Sequence, residues 1–346
     1  MFLKNAWYVV AWSKNLGREL RSVRLFGERI VLYRQQDGQP AALSDRCPHR
    51  NLPLSAGKLL GDTIQCGYHG LEFDANGACV RAPGEPRIPD WCHVRAFPAA
   101  ERHGWVFVFA GDPAKAQDTP VPTFHAELDD PQWGAATGEL VVPCGYRLIL
   151  DNLLDLSHLA YVHSSSTGND DVANAAAVEV SSDNPEHVRQ TRVMRGVTPA
   201  PAFVHYGGYQ GPIDRWQMTD YFVPSYIRIN NGSRHASPAD TPIDAQHDLG
   251  DWGFRVFHAL TPETPTTTRQ FWAVPYRRDM VSEDEHALWQ SQMDNVLRED
   301  HDVYAAQQAA IDDDAQSGGD VRPSGALRGD RGLYEMRRAL KRALDA

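Results

Sequence analysis

Cysteine is scarce: five residues in a chain of 346. So small and odd a set is not a disulfide framework, and it points to a reducing, cytoplasmic setting with thiols free or bound to metal. Long hydrophobic runs are missing, and nothing approaches the ~18 consecutive apolar residues of a membrane span. The opening Met-Phe-Leu-Lys-Asn lacks an apolar core followed by a small-residue cleavage site, so no secretory signal is expected. Positive charge is in deficit, with 34 Lys and Arg against 45 Asp and Glu and a formal charge of −11. That balance argues against a general nucleic-acid binder. No internal repeat and no Gly-rich dinucleotide fingerprint is present, so this chain is not expected to bind nicotinamide or flavin itself.

What is present is globular. Hydrophobic residues at 42% and charged residues at 23% exclude wholesale disorder, and the length fits two domains. The first third reads as short strands: Val23 to Phe26, Arg29 to Tyr33, Pro40 to Leu43, Glu72 to Asp74, Cys79 to Arg81 and Trp105 to Phe109. Asn76-Gly77 and Asp37-Gly38 supply turns. Residues 111–123 carry three prolines and read as a linker, with a domain boundary near Asp112: 1–112, then 113–346. Beyond it, apolar spacing predicts a helix over Tyr146 to Tyr161, and residues 164–187 read as a loop. Strands follow at 188–194, 216–223, 226–230, 253–260 and 269–274. A long helix runs from Glu283 to about Ile311, a polar stretch covers 316–329, and a closing helix spans 333–344. Strands and helices without βαβ alternation predict an α+β fold with an antiparallel sheet.

Two motifs carry chemistry. Cys47-Pro48-His49-Arg50 and Cys66-Gly67-Tyr68-His69-Gly70 give Cys-x-His, sixteen residues, then Cys-x-x-His. A structural zinc site and a Rieske [2Fe–2S] cluster both use two Cys and two His. Zinc fingers pair like with like along the sequence, whereas here each loop offers one thiolate and one imidazole, which suits a binuclear centre. Cys79, Cys92 and Cys144 read as buried apolar residues. The second motif is Asp-Asn-Leu-Leu-Asp-Leu-Ser-His-Leu-Ala-Tyr-Val-His at 151–163. Asn152, Asp155 and His158, three apart, share one face of the expected helix, and His163 lies past its end. Two histidines and a carboxylate form the facial triad of non-haem Fe(II) oxygenases. The bland reading is a helix whose polar face bonds a neighbour.

Together the Cys-x-His-Arg and Cys-x-Tyr-His-Gly loops and Asn-Leu-x-Asp-x-x-His-x-x-x-x-His resemble the oxygenase component of Rieske non-haem iron oxygenases, end to end. Asn5 to Val9, Asp151 to His163 and Asp214-Arg215-Trp216-Gln217 resemble the vanillate O-demethylase subgroup in particular, with dicamba monooxygenase and toluenesulfonate methyl-monooxygenase as relatives. The resemblance implies an N-terminal all-β Rieske domain and a C-terminal helix-grip, START-like catalytic domain. It implies a cluster on Cys47, His49, Cys66 and His69, and mononuclear Fe(II) on His158, His163 and a carboxylate of the long C-terminal helix. That carboxylate is Asp300, with Glu299 and Asp302 as alternatives. It assigns Asp155 to a bridge between His158 and His69 of the partner subunit in a homotrimer. Asn152 is expected near the iron without ligating it.

For substrate, the resemblance points to His258. Arg228 and Asn230, two apart on one strand face, are candidates to hold a carboxylate or sulfonate. The activity implied is O-demethylation of a methoxylated aromatic acid with formaldehyde release. Electrons would come from NAD(P)H through a separate ferredoxin-type flavin reductase carrying FMN. Aryl-methyl or ring hydroxylation, dihydroxylation and N-demethylation by the same iron are the alternatives. From other classes, an electron carrier leaves Asn152 to His163 without a role, and a zinc-stabilised binding module would be colourless.

Overall fold

The computed structural model describes residues 1–174, 178–182, 184–279, 283–317, 325 and 327–346. Parts of the loop expected at 164–187 and most of the polar stretch at 316–329 lie outside the described residues. The chain forms two compact units. Unit 1 is Met1–Asp129 with Thr261–Pro265, and unit 2 is Asp130–Leu260 with Thr266–Ala346. The boundary expected near Asp112 therefore moves to Asp129. The proline-rich stretch is held by unit 1: Trp7 Nε1 donates to the Thr119 carbonyl at 2.8 Å, and the Asp112 amide to Asn5 Oδ1 at 2.9 Å.

Unit 1 is all-β. Its strands are β1 (Ala6–Trp12), β2 (Arg21–Leu25), β3 (Glu28–Arg34), β4 (Pro40–Ser44), β5 (Lys58–Leu60), β6 (Thr63–Gln65), β7 (Glu72–Phe73), β8 (Cys79–Arg81), β9 (Ala96–Phe97), β10 (Ala99–Arg102) and β11 (Trp105–Ala110). They form three antiparallel sheets, ordered β1-β11-β10, β2-β3-β4-β9 and β5-β6-β7-β8. Strands β1 and β11 are buried along their whole length. Fully buried strands lack alternation, which is why β1 escaped the sequence reading.

Unit 2 holds β12 (Trp133–Val142), α1 (Tyr146–Leu153), α2 (Leu159–Val162), α3 (Asp170–Ala173), β13 (Glu179–Ser181), β14 (His187–Val197), α4 (Pro201–His205), β15 (Ile213–Phe222), β16 (Tyr226–His235), β17 (Trp252–Thr264), β18 (Thr267–Arg277), α5 (Glu283–Gln316) and α6 (Arg331–Asp345). A seven-stranded sheet runs β12-β18-β17-β16-β15-β14-β13. Helix α5 lays Trp289, Met293 and Leu297, spaced four apart, on Ala136, Val256, Trp272 and Val274 of that sheet. Residues Asp300, Tyr304 and Gln308 continue the same stripe and are also buried. This long helix across an antiparallel sheet is the architecture the resemblance implied. No helix among the described residues is long and apolar enough to cross a membrane.

The helix expected over Tyr146 to Tyr161 is broken. It stops at Leu153 and resumes at Leu159. The carbonyls of Leu154 and Leu156 turn instead to β14, accepting from Gln190 Nε2 at 2.7 Å and Arg192 Nη2 at 2.9 Å. The Asp155 carboxylate takes the Ser157 amide at 2.7 Å, an Asx turn that competes with helix. Asn152, Asp155 and His158 therefore do not share one helical face.

Candidate metal centres and the cavity beside them

In unit 1 the two Cys–His loops close in the same way. The Cys47 amide donates to the Leu52 carbonyl and the Asn51 amide to the Cys47 carbonyl, both at 2.9 Å. The Cys66 amide donates to Leu71 at 2.8 Å and the Gly70 amide to Cys66 at 3.1 Å. Each loop turns through a left-handed residue four places after its cysteine: Asn51 (φ 61°) and Gly70 (φ 72°). Asp45 anchors the first loop, accepting from Ser22 Oγ at 2.7 Å and from the Ser55 amide at 2.7 Å.

This backbone buries Cys47 and Cys66 and leaves His49 and His69 exposed at the tip, ring centroids 4.4 Å apart. Burial, with the neighbouring Cys66 thiol, pushes the Cys47 pKa up. Two adjacent buried cysteines with two adjacent histidines beside them are the donor set that a pair of irons takes. Cys79 and Cys92 pack in the apolar cluster behind the loops, and burial lifts the Cys92 thiol to about 12.

In unit 2 three segments converge. His158 Nδ1 meets the Asp155 carbonyl at 2.5 Å, and His163 Nδ1 meets Glu299 Oε2 at 2.7 Å. Both Nε2 atoms are then turned to Asp300 Oδ1, at 3.8 Å from His158 and 3.2 Å from His163. One ligand atom from each of the three lies within 4.8 Å of the others. Lone pairs directed at a common point repel unless a cation sits there, so this donor set fits a divalent metal. Burial, opposed by the Asp300 and Asp155 charges, lowers the His158 pKa. At His163 burial is outweighed by Asp300 and Glu299, and the pKa rises. Of the alternatives to Asp300, Glu299 is bonded to His163 and to Ser165 Oγ at 3.1 Å, and Asp302 has a 93% exposed side chain.

Helix α5 also clamps α1. Asn152 Nδ2 donates to Asp300 Oδ1 at 3.1 Å, and Tyr304 Oη donates to Asn152 Oδ1 at 3.0 Å. Gln308 Oε1, one turn further, accepts the Gly145 amide at 2.9 Å where α1 begins. On the other side of His163, Gly168 closes the turn, its amide donating to the His163 carbonyl at 2.9 Å. A Cβ at Gly168 would lie 1.8 Å from the Leu159 carbonyl, so only glycine fits.

The three candidate ligands line a cavity of about 720 Å³, mouth included. Its floor is the sheet: Arg215, Gln217 and Thr219 of β15, Ile229 and Asn231 of β16, and Phe254, Val256 and His258 of β17. A second, mainly apolar pocket shares Thr167, Phe254, Met293 and Val296 with it and adds Tyr206, Trp252 and Trp289.

The vanillate O-demethylase oxygenase C-terminal domain model matches residues 142–346, and the Rieske [2Fe-2S] domain model matches residues 6–98. The chain belongs to the Rieske oxygenase components. It is 32% identical over 353 residues to an iron-sulfur subunit of the toluene-4-sulfonate monooxygenase system of Comamonas testosteroni, covering 100% of this chain and 98% of that protein. It is 37% identical over 256 residues to a vanillate O-demethylase oxygenase subunit of a Pseudomonas strain, covering 71% and 74%. The crystal structure of dicamba monooxygenase bound to 3,6-dichlorosalicylic acid superposes with a TM-score of 0.88 at 30% identity, covering 99% and 98%. As a Rieske oxygenase component the enzyme is an oxidoreductase that carries a [2Fe–2S] cluster and a mononuclear iron and works with a separate electron-donating component.

Several expectations for this oxygenase need correction. His158 Nδ1 donates to the Asp155 backbone carbonyl and not to the Asp155 carboxylate. That carboxylate accepts from Ser157 and stands 3.9 Å from His158 Nδ1. Arg228 does not face the cavity: Nη2 donates to the buried Asp220 at 2.7 Å, and Arg189 and His187 bond the same carboxylate. Asn230 faces the same way, donating to the Gln246 carbonyl at 2.8 Å. A strand alternates faces, so an error of one residue exchanges floor for back. The floor of β16 is Ile229 and Asn231.

His258 does line the cavity. Its Nδ1 accepts from Gln270 Nε2 at 3.2 Å, and burial, opposed by Asp300, drops its pKa to about 4, so the ring is neutral. The sequence reading missed Arg215, Gln217 and Thr219 as cavity residues. Period-two polarity in Asp-Arg-Trp-Gln-Met-Thr was the available signal.

Proposed function

We propose that this oxygenase O-demethylates a methoxylated aromatic acid. The observation that carries the reading is a cavity with the His158–His163–Asp300 constellation in its wall, in a chain similar to a vanillate O-demethylase oxygenase subunit. His158, His163 and Asp300 would hold the iron, and Cys47, His49, Cys66 and His69 the cluster. The cluster supplies single electrons and the iron supplies oxygen activation.

This chain's own residues orient. Glu299 and the Asp155 carbonyl fix the imidazole rings, and Asn152, held by Tyr304, fixes the Asp300 carboxylate. Ile229, Phe254 and Val256 form the apolar part of the floor, against which the methyl group is presented. One oxygen atom of O2 enters a methyl C–H bond and the other leaves as water, with two electrons supplied by the reductase and two protons by solvent. The hemiacetal so formed collapses to a phenol and formaldehyde.

The working unit of this reading is a homotrimer in which Asp155 bridges to His69 of the partner subunit, fed by a ferredoxin-type flavin reductase. The remaining acceptor capacity of the half-buried Asp155 carboxylate supports the bridge. Asp155→Asn then keeps both iron centres but slows turnover sharply. Unchanged turnover would sink the bridge.

The deciding experiment is formaldehyde release against NADH and O2 consumed, for iron-loaded protein with a vanillate-type reductase. The panel is methoxybenzoates, methoxylated chlorobenzoates, aryl sulfonates and methylated N-heterocycles. One formaldehyde per NADH on a methoxyarene supports the reading. The full-length similarity to the toluene-4-sulfonate system favours aryl-methyl hydroxylation as the second reading, and a hydroxymethyl product without formaldehyde identifies it.

A further inference from the structure

We propose that Arg215 anchors an oxyanion of the substrate, carboxylate or sulfonate, at the end of the cavity away from the carbon that reacts. The inference rests on the demethylase reading for the reacting carbon, and on Arg215 itself for the anion.

Arg215 is 1% exposed and lines the cavity. Its Nη1 donates to the Thr167 carbonyl at 2.7 Å, and its guanidinium carbon lies 4.2 Å from the centre of the Phe203 ring. Nε and Nη2 have no partner among the described residues. Those two donors form one edge of the guanidinium, the edge that grips an oxyanion with two parallel bonds.

Of the other arginines on this sheet, Arg192 is buried like Arg215 and Arg189 and Arg228 are half-buried, and all three have partners. Arg189 and Arg228 share Asp220, and Arg192 meets Gln217 and the carbonyls of Leu156 and Val172. Among the described residues Arg215 has no acidic partner. Burial and the neighbouring Arg192 pull its pKa down to about 9. A buried cation with two idle donors lacks an anion, and a ligand entering the cavity can bring one.

The register gives the anchor its place. Across β15, β16 and β17 the successive levels are Arg215 with Ser233, then Gln217 with Asn231 and Phe254, then Thr219 with Ile229 and Val256, then Tyr221 with Ile227 and His258. Arg215 and His258 therefore mark opposite ends of the floor, and the α5 stripe that leads to Asp300 packs on Val256, toward the His258 end. A ligand held by Arg215 presents to the metal end the carbon farthest from its anion. Meta- and para-methoxy acids fit this arrangement, and ortho acids do not.

The test is calorimetric binding to the iron-loaded holoenzyme, without reductase, of 4-methoxybenzoate, 4-methoxybenzenesulfonate and neutral 4-methoxybenzamide. The expected result is that both anions bind at least about thirtyfold tighter than the amide. Arg215→Gln removes that preference by weakening the anions alone, and Arg215→Lys keeps part of it. In the wild type, 3- and 4-methoxybenzoate bind tighter than 2-methoxybenzoate. Equal affinity for acid and amide, absence of anion binding, or a preference that survives R215Q overturns the anchor. An ortho isomer that binds tightest overturns its placement.

Should R215Q fail to fold by circular dichroism, the wild-type acid-to-amide ratio, the isomer order and R215K decide. Anion preference without formaldehyde from any methoxyarene leaves the anchor standing and removes the demethylase reading. Formaldehyde from neutral methoxyarenes with no anion preference does the reverse.

Discussion

Both candidate metal centres use two histidines, yet they are built by opposite means. Around Cys47 and Cys66 each loop closes on itself, with hydrogen bonds spanning four or five residues and a left-handed residue at the same offset. The thiols are inside and the imidazoles outside. Around His158 the local bond to the Asp155 carbonyl is not enough to build the site. The loop that carries it is unfastened from its helix by Gln190 and Arg192 of β14, and its third ligand comes from α5, 137 to 142 positions later in the chain. A local site needs only its own turns to be right. A long-range site inherits the stability of every element that reaches it, so remote substitutions will disturb it first.

That contrast can be broken or sharpened by experiment. The largest effects separate the centres outright. Asp300→Ala removes the mononuclear iron and drops turnover to background while the visible spectrum of the cluster stays. Cys66→Ser does the opposite, and iron analysis with absorbance reads both. A variant that loses both centres at once would contradict their separate construction.

Next comes remote damage. Arg192→Leu leaves the Leu156 and Val172 carbonyls unpaired, costing about 3 kcal/mol in a urea titration and lowering iron occupancy with the cluster unaffected. Glu299→Gln weakens the hold on His163 and lowers iron affinity about 10- to 100-fold, measured by chelator competition.

Asp220, behind the sheet, tests the scaffold. Burial raises its pKa, but His187, Arg189 and Arg228 overcome this and hold it at about 2. A carboxylate depressed below its ordinary value near 3.8 stabilises the fold above that pH, and this contribution disappears as pH falls toward 2. It is worth about 2 kcal/mol, and Asp220→Asn flattens that limb of the stability-pH curve. The smallest effect belongs to Asp302→Asn, within about 0.5 kcal/mol and without change in iron content, since its side chain is 93% exposed.

The sequence disclosed most where structure is local. The two Cys–His loops, the Asn76-Gly77 turn between β7 and β8 and the long helix α5 were legible from spacing alone. Asp300 came by resemblance, although a physical signal existed: it continues the core-facing Trp289–Met293–Leu297 stripe, and Asp302 does not. The break in the helix after Leu153 was not legible. It depends on two side chains about 36 residues further on that take backbone carbonyls, and no periodicity encodes such a bond. The cavity floor was misread by one residue on β16, because Arg228 drew attention by its charge while its partner, Asp220, lay on the neighbouring strand.

Arg192 links two properties that a designer would wish to adjust separately. It bonds the Leu156 carbonyl, on the segment leading to His158, and the Gln217 side chain, which lines the cavity. Any exchange at Gln217 that reshapes the cavity for a new aromatic ring also frees one side of the guanidinium that steadies the histidine loop. Shifts of substrate range in this lineage should therefore travel more easily through Ile229, Phe254 and Val256, which hold no such tether, than through the polar end of the floor.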